Sequence, residues 1–433
     1  MIPKNPANWP QNGLYIEMSK QIKDEPNGRI SWRKTFTALK YPNYRLWFWG
    51  QMISLFGTWM QSTAQSYFIF ELTKSPAFLG YAGFVNGVPT WLFMLYAGVV
   101  ADRMPRRKLM ILTQTSMMIL AFMTAGLTFL HLIQPWHIIL LAFCFGVTNA
   151  FDAPARQAIV QELVDYGDMT NAIALNAAMF NTSVALGPAF GGLTYALFGP
   201  AWCFTINGLS FIAVIMALAA MKLKPSSAGA AKNSILTDLK EGLGYVVTHS
   251  TIRTIISLIG VISLFGMAFA TLMPAWAVKI LDGNAKTNGF LQSARGFGAL
   301  SSALLIASLG RFKFRGKLLT LGSFAFPVFL IIFSFIRWEP LSMLFLFGIG
   351  FAQILVFNLA NASVQTLTPD ALRGRVMSIY SLVFFGSMPL GALLIGWMAT
   401  KAGESTTIVI NAVITLTYAS ILFVFMPKLR KLQ

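Results

Sequence analysis

From residue 45 onward, apolar runs of twenty or so residues alternate with short polar breaks. They fall near 45–71, 77–100, 108–130, 136–160, 171–197 and 201–222, and resume near 252–278, 287–310, 317–337, 340–366, 376–399 and 405–426. At 1.5 Å per residue, about twenty residues span the roughly 30 Å hydrocarbon core of a bilayer. A helix satisfies its own backbone hydrogen bonds there, so each run predicts one spanning helix. The expected fold is an all-α membrane protein of twelve transmembrane helices in two six-helix bundles. Its parts are a tail over 1–42, a first bundle over 43–222, a linker over 223–250 and a second bundle over 251–433. In the tail, Trp32, Phe36 and Leu39 recur at helical spacing beside Arg33, Lys34 and Lys40, which predicts a short helix on the membrane surface. The linker opens on Pro225-Ser-Ser-Ala-Gly and continues as Asp238-Leu-Lys-Glu-Gly-Leu-Gly-Tyr-Val-Val, an amphipathic helix by pattern.

The polar breaks carry the orientation. Of 33 Lys and Arg residues, 27 lie in the tail, the linker, the C-terminus or loops on the same side of the predicted layout. Five lie on the other side (Lys74, Lys279, Lys286, Arg337 and Lys401), and Arg295 alone falls within a span. Lys and Arg in short loops resist translocation, so both termini are expected in the cytoplasm. The formal charge of +18 is therefore an orientation signal, and no nucleic-acid partner is expected. Residues 1–41 hold no apolar stretch resembling a cleavable signal. Cys144 and Cys203 lie inside apolar runs, and the three histidines are scattered, so neither a metal site nor a cofactor is expected.

The halves repeat weakly. Gly187, Gly192 and Gly199 match Gly391, Gly396 and Gly403 at a constant offset, and Arg106 and Lys108 match Arg315 and Lys317 at a slightly different one. Two similarly oriented halves form a parallel repeat.

Between the second and third runs stands Gly98-x-x-x-Asp102-Arg103-x-x-Arg106-Arg107, which resembles the loop signature of the major facilitator superfamily. Val100 and Pro105 depart from its usual Leu and Gly. Gly50-Gln51 with Gly57-Thr58-Trp59-Met60-Gln61, Asp152-Ala-Pro154-Ala-Arg156-Gln157 and Arg373-Gly-Arg375-Val-Met-Ser resemble the exporter branch that includes the enterobactin exporter and macrolide-efflux proteins. The resemblance covers about residues 36–425. It implies alternating access, with Gly98, Asp102, Arg103, Arg106, Arg107, Asp152 and Arg156 as elements of a gate. In the fifth run, Gly187-Pro188-x-x-Gly191-Gly192 is similar to the core of the superfamily's antiporter motif, although Ser183 replaces a Gly. Close helix packing explains the same residues equally well.

Two ionisable groups stand out, because charges inside a membrane are costly. Asp152 lies roughly 12 Å from the end of the fourth run. It is either a proton carrier or, the preferred reading, a partner of Arg106 or Arg156 at an inner gate. Arg295 lies at a similar depth, roughly 12 Å, in the eighth run, with no carboxylate of its own half at that level. It either snorkels outward toward Asp282 or binds an anionic substrate through its planar guanidinium. Its repeat counterpart is Asn86. Gln51, Ser54, Thr58, Gln61 and Gln65 step by three or four along one helical face, which should meet a cavity or a neighbouring helix. Asn176, Asn181, Asn358 and Asn361 add amides, while Trp59, Met60, Phe265, Met267 and Phe269 could form an apolar wall. The substrate-binding candidates are thus Arg295, Asn86, Gln51, Thr58, Gln61, Gln65 and Asn358. The gating set adds Gly187 and Pro188.

No constellation supports catalysis. The stretch 310–317 has five residues between its Gly and the Gly-Lys pair, and Leu318 where a P-loop needs Ser or Thr. The expected function is secondary export of a small organic molecule, a siderophore or drug-like amphiphile, by a monomer in a bacterial inner membrane in exchange for protons. Uptake, or transport of a lysolipid, are the alternatives.

Overall fold

The computed structural model describes residues 36–221, 235–309 and 314–430. Six long helices come first: α1 (Pro42–Thr73), α2 (Pro76–Arg103), α3 (Arg106–Phe129), α4 (Pro135–Leu163), α5 (Met169–Phe198) and α6 (Pro200–Ala220). A linker helix, α7 (Ile235–Thr248), follows. Then come α8 (Ser250–Lys279), α9 (Ala285–Leu309), α10 (Arg315–Phe333), α11 (Glu339–Leu367), α12 (Asp370–Ala402) and α13 (Glu404–Phe425). Among the described residues, nine of these are long and apolar enough to cross a membrane. The other three, α1, α2 and α9, have 32, 28 and 25 residues, ample length at 1.5 Å each. Two of them, α1 and α9, carry the glutamine stripe and Arg295, so their polarity reflects the interior they face.

Proline starts α1, α2, α4 and α6, where its missing N–H costs nothing. Internal prolines at 89, 154, 188, 327 and 389 bend five helices. The half-repeat is visible in geometry: α5 and α12 both end on a glycine of positive φ, Gly199 at 87° and Gly403 at 79°. Side chains rarely adopt that backbone, which is why both positions are Gly.

Within the first half, α1 packs on α5 and α6, α3 on α4 and α6, and α2 on α4; α9–α11 and α10–α13 repeat the pattern in the second. Two seams join the halves, α2 against α12 and α5 against α9. Gly80 and Gly396 face each other in the first, and Gly192 and Gly289 in the second. A Cβ on Gly289 would lie 2.5 Å from the Pro188 carbonyl and 2.9 Å from the Gly192 Cα. Helices in lipid gain little from hydrophobic exclusion, so close backbone approach over small residues supplies the attraction.

Both seams are closed only toward the end of the bundle away from the chain termini, here the far end. Along α2, the face that meets α12 runs through Gly80, Gly83, Gly87 and Trp91, but a Cβ on Gly98 would touch nothing within 4 Å. On α5, positions 183, 185, 187 and 188 are buried, whereas Ile173, Ala174, Ala177 and Ala178 are exposed. The halves therefore meet at the far end and diverge toward the terminal end.

At the terminal end, α7 lies on α12. Gly242 sits against the Arg375 backbone and Glu241 pairs with Arg375. The amphipathic linker helix is thus present; Pro225–Gly229 lie outside the described residues. Of the expected surface helix, residues 32–34 lie outside the described residues, and 37–40 form a single 3₁₀ turn. That turn is clasped to the α4–α5 connection. Lys40 Nζ is 2.6 Å from Asp168. The Tyr41 hydroxyl donates to Asp168 at 2.7 Å and to Asp165 at 2.9 Å, and the Ala38 N–H donates to Asn171 at 2.9 Å. The hydrogen bond from Lys40, then that from Tyr41, holds the Asp168 carboxyl below its usual 3.8, while Asp168 raises the Lys40 ammonium above its usual 10.5. A lowered carboxyl stabilises at all pH above its ordinary value and a raised ammonium at all pH below its own. The clasp should therefore hold across neutral pH and loosen only in acid below the usual carboxylate range or in strong base. Asp168→Asn is expected to speed trypsin cleavage after Lys40 severalfold at neutral pH, and wild-type cleavage should be unchanged by 0.5 M salt beyond a modest increase, about 3–5 Å of screening length remaining.

Candidate functional site

The stripe on α1 meets neighbouring helices. Gln51 is 1% exposed, and its Oε1 is buried without a hydrogen-bond partner. Ser54 donates to Gln114 Oε1 at 3.4 Å, and the amide of Gln114 donates to Asp152 at 3.0 Å. One to two turns farther on, the Asn207 amide of α6 donates to Gln61 Oε1 at 2.6 Å, and Gln61 reaches Gln65 at 3.5 Å. Thr58 turns back to the Ser54 carbonyl at 2.9 Å. Gly57 is required beside it because a Cβ would collide with Asn207 and Ser210. The stripe therefore stitches α1 to α3 and α6, and a small cleft walled by Leu120, Thr124, Ile138, Leu141 and Phe145 opens at Gln61 and Gln65. Of the two surfaces the spacing allowed, the structure uses the neighbouring helix for Gln51 and Gln61.

Asp152 is 2% exposed, eleven residues inside the end of α4, or about 16 Å. Its Oδ1 accepts from Thr113 at 2.8 Å and from Gln114, and its Oδ2 lies 3.3 Å from Arg156 Nε one turn away. That approach is close enough for an ion pair, but the Nε–H is not aimed along it, so Arg156 Nε makes no formal hydrogen bond. Arg106 is not the partner of Asp152. It binds Glu162 at 2.8 Å and the Ala158 carbonyl at 3.1 Å. The reason is depth: Arg106 is the first residue of α3 and meets the last turn of α4, well short of Asp152. Arg107 donates to the Ala219 carbonyl at 2.6 Å, serving the C-terminal end of α6 where cations are favourable. Arg103 is exposed at the end of α2. The Asp102 side chain and residues 311–313 lie outside the described residues. The loop arginines thus hold the first half together at its terminal end.

Gly187 and Pro188 sit where three helices meet. Gly187 and Gly191 admit Phe56, Trp59 and Met60 of α1, while Pro188 and Gly192 face Gly289 of α9. A sequence signal for this existed in the glycine spacing, but its partners on α9 did not. Neither did the bond across the seam, in which the Ala189 N–H donates to Ser293 Oγ at 2.8 Å.

Arg295 lies ten residues into α9, about 15 Å deep. Its guanidinium stands 5.8 Å over the ring of Phe269, which is 1% exposed. Among the described residues it forms no hydrogen bond or ion pair, and Asp282 is exposed in a turn. Phe269 belongs to a broken stretch of α8, where Ile262–Gly266 widens to π geometry and Met267–Leu272 tightens to 3₁₀. Pro274, which has no N–H to return to Ala270, follows directly. The expected counterpart holds. The Arg295 carbonyl packs on Gly350 of α11, and the Asn86 carbonyl packs on Gly146 of α4 in the same way. The Asn86 and Asn358 side chains are exposed, Asn361 and Asn176 half-buried, and Asn181 donates to Ala177 within α5 at 2.8 Å. Of the apolar wall, Trp59 stacks edge-on with Phe180 at 5.9 Å, Met60 is buried under α5, and Phe265 and Met267 are half-buried on α8. Among the described residues no group of histidine, cysteine and carboxylate side chains could hold a metal.

The family described as transmembrane secretion effector matches residues 33–433. The chain is 22% identical to the staphyloferrin A transporter of Staphylococcus aureus over 89% of its own length and 97% of that protein. It is 25% identical to the multidrug efflux pump Tap of Mycolicibacterium fortuitum, covering 80% and 86% of the two chains. It is 24% identical to the enterobactin exporter EntS of Shigella boydii, covering 84% and 88%. Among solved structures, a bacterial homologue of the human lysosomal transporter Spinster, inward-facing and unoccupied, superposes with a TM-score of 0.71 at 12% identity, covering 92% of this chain and 99% of that one. The nucleoside transporter NupG gives 0.65 at 16% identity, covering 89% and 98%. These structures establish the fold alone. Two helical halves joined at one end and parted at the other agree with the family match: the chain belongs to the transmembrane secretion effectors of the major facilitator superfamily and is a membrane transporter of its efflux branch.

Proposed function

We propose that the protein exports a small organic molecule, a siderophore or drug-like amphiphile, across a bacterial inner membrane by alternating access, in exchange for protons. The observation that carries this reading is the pair of glycine seams. They close the far end while the facing helices part at the terminal end, so a substrate has access from one side at a time. The distribution of 27 against five basic residues supports placing the terminal end in the cytoplasm. In this reading the halves rock: the far seams part as the α2–α3 turn at Asp102 closes against the second half.

The test begins with the culture medium of cells with and without the gene under iron limitation. A compound missing from the deletion strain's medium is then loaded into proteoliposomes carrying the purified protein. Outward flux should rise with an imposed inward proton gradient; flux indifferent to that gradient overturns proton exchange, and flux only inward overturns export. Asp102→Asn should insert normally and lose most of this flux. Full flux in that variant removes Asp102 from the gate.

A further inference from the structure

A cation inside a membrane protein is ordinarily matched by a carboxylate or by carbonyl oxygens, because leaving it unmatched costs several kcal/mol. Asp152 and Arg156 satisfy that rule in the first half, as does Lys279, which donates to Glu404 at 2.8 Å near the far end. Arg295 does not. It lies at mid-depth, makes no hydrogen bond or ion pair among the described residues, and stands over the face of Phe269.

Two features say where the guanidinium points. Phe269 is buried in the core of the second half, so a group stacked on its ring points into the bundle and away from lipid. The guanidinium nitrogens are also not sealed. Arg156 Nε is both enclosed and unpartnered, whereas no nitrogen of Arg295 is. The Arg295 side chain is half-buried, so its donors are not fully enclosed by protein. The Arg295 backbone is meanwhile fixed, because Gly350 lets α11 approach its carbonyl directly. Beside it, α8 leaves α-helical geometry between residues 262 and 272, and Ser263 Oγ in that stretch is buried without a partner. Interrupted helices supply polar backbone groups at the ligand sites of membrane transporters. The matching position in the first half is the neutral Asn86, so the two halves differ by one positive charge at this level.

We propose that Arg295 is an anion-recognition residue of the transport site, binding a carboxylate or similarly planar anionic oxygen group of the cargo while Phe269 backs the guanidinium. The fork of a guanidinium takes two such oxygens at once, and the ring face spreads its remaining charge. A cargo with a single anionic end would lie with that end toward α9 and its apolar part toward α2 and Asn86. This rests on the transport reading above and adds its substrate class.

The test uses naphthoate and its uncharged amide, two probes of one shape that differ in charge. Binding to the purified full-length protein in nanodiscs, followed by tryptophan fluorescence, should favour naphthoate roughly tenfold to a hundredfold, the range for one charge-assisted hydrogen bond. Arg295→Gln should abolish the preference while the protein stays monodisperse, and Arg295→Lys should retain part of it. Equal binding of the two probes to wild type, no naphthoate binding at millimolar concentration, or a preference surviving in Arg295→Gln would each overturn the assignment. Proteoliposome flux of the compound identified from culture medium separates the two readings: if wild type moves it but shows no charge preference, only the anion site is lost.

Discussion

Asp152→Ala should lower the stability of the first half by about 3 kcal/mol, the lower part of the range for breaking a buried ion pair. The substitution removes the acceptor for Thr113 and Gln114 and the ion-pair partner of Arg156 together, and it does so where Asp152 is 2% exposed. The lower figure applies because the Arg156 side chain keeps 21% exposure and can turn toward the terminal opening. Replacing both partners, Asp152→Ala with Arg156→Leu, should recover much of the loss, since a pair of apolar groups leaves no charge unmatched. Thermal midpoints in nanodiscs give the comparison. A single variant as stable as wild type would show that the cluster does not hold α3 and α4 together. A double variant worse than the single would show that Arg156 has another partner.

Gly289→Val should abolish transport, lowering flux at least tenfold, without preventing insertion. The added side chain would meet the Pro188 carbonyl and the Gly192 backbone, neither of which can rotate out of the way. Overpacking of this kind ordinarily costs about 1–3 kcal/mol. Here the halves can relieve it by parting at the far end, which removes the closed state from the cycle while leaving each half folded. Gly126→Ala is the control, because a Cβ there meets nothing within 4 Å. A cysteine introduced as Ala285→Cys, at a position 4% exposed in this seam, reports the conformation in a background lacking Cys144 and Cys203. It should label faster with a membrane-impermeant thiol reagent when Gly289→Val is present. Unchanged labelling with normal flux would mean the seam is not a moving contact.

The candidate site was legible in part, and the division follows from the chemistry of each residue. Arg295 stood out because one charge in an apolar run is visible without any structure. Asn86 was identified as its counterpart from the spacing of the half-repeat, and the matching contacts at Gly350 and Gly146 bear that out. The glutamine stripe was visible as a stripe, but periodicity gives a face without saying what the face meets. Asn207, on another helix, decided that for Gln61. Asp152 was given two possible partners, Arg106 and Arg156; the structure pairs it with Arg156, and Arg106 meets Glu162 because it lies at the depth of the last turn of α4.

By itself, the sequence determined how many helices there are, that the halves repeat, and that charge is concentrated at one side. These properties depend on composition and spacing within single segments, which the bilayer and the helical period read locally. Only the tertiary structure decided which helices form the two seams, that those seams close at the far end, and that Arg295 faces an aromatic ring with no anion. The seams relate residues a hundred or more positions apart, such as Ala189 with Ser293 or Gly80 with Gly396, and the Arg295 contact joins two different helices. These relations are fixed by how small residues let helices approach, and no single segment carries that information.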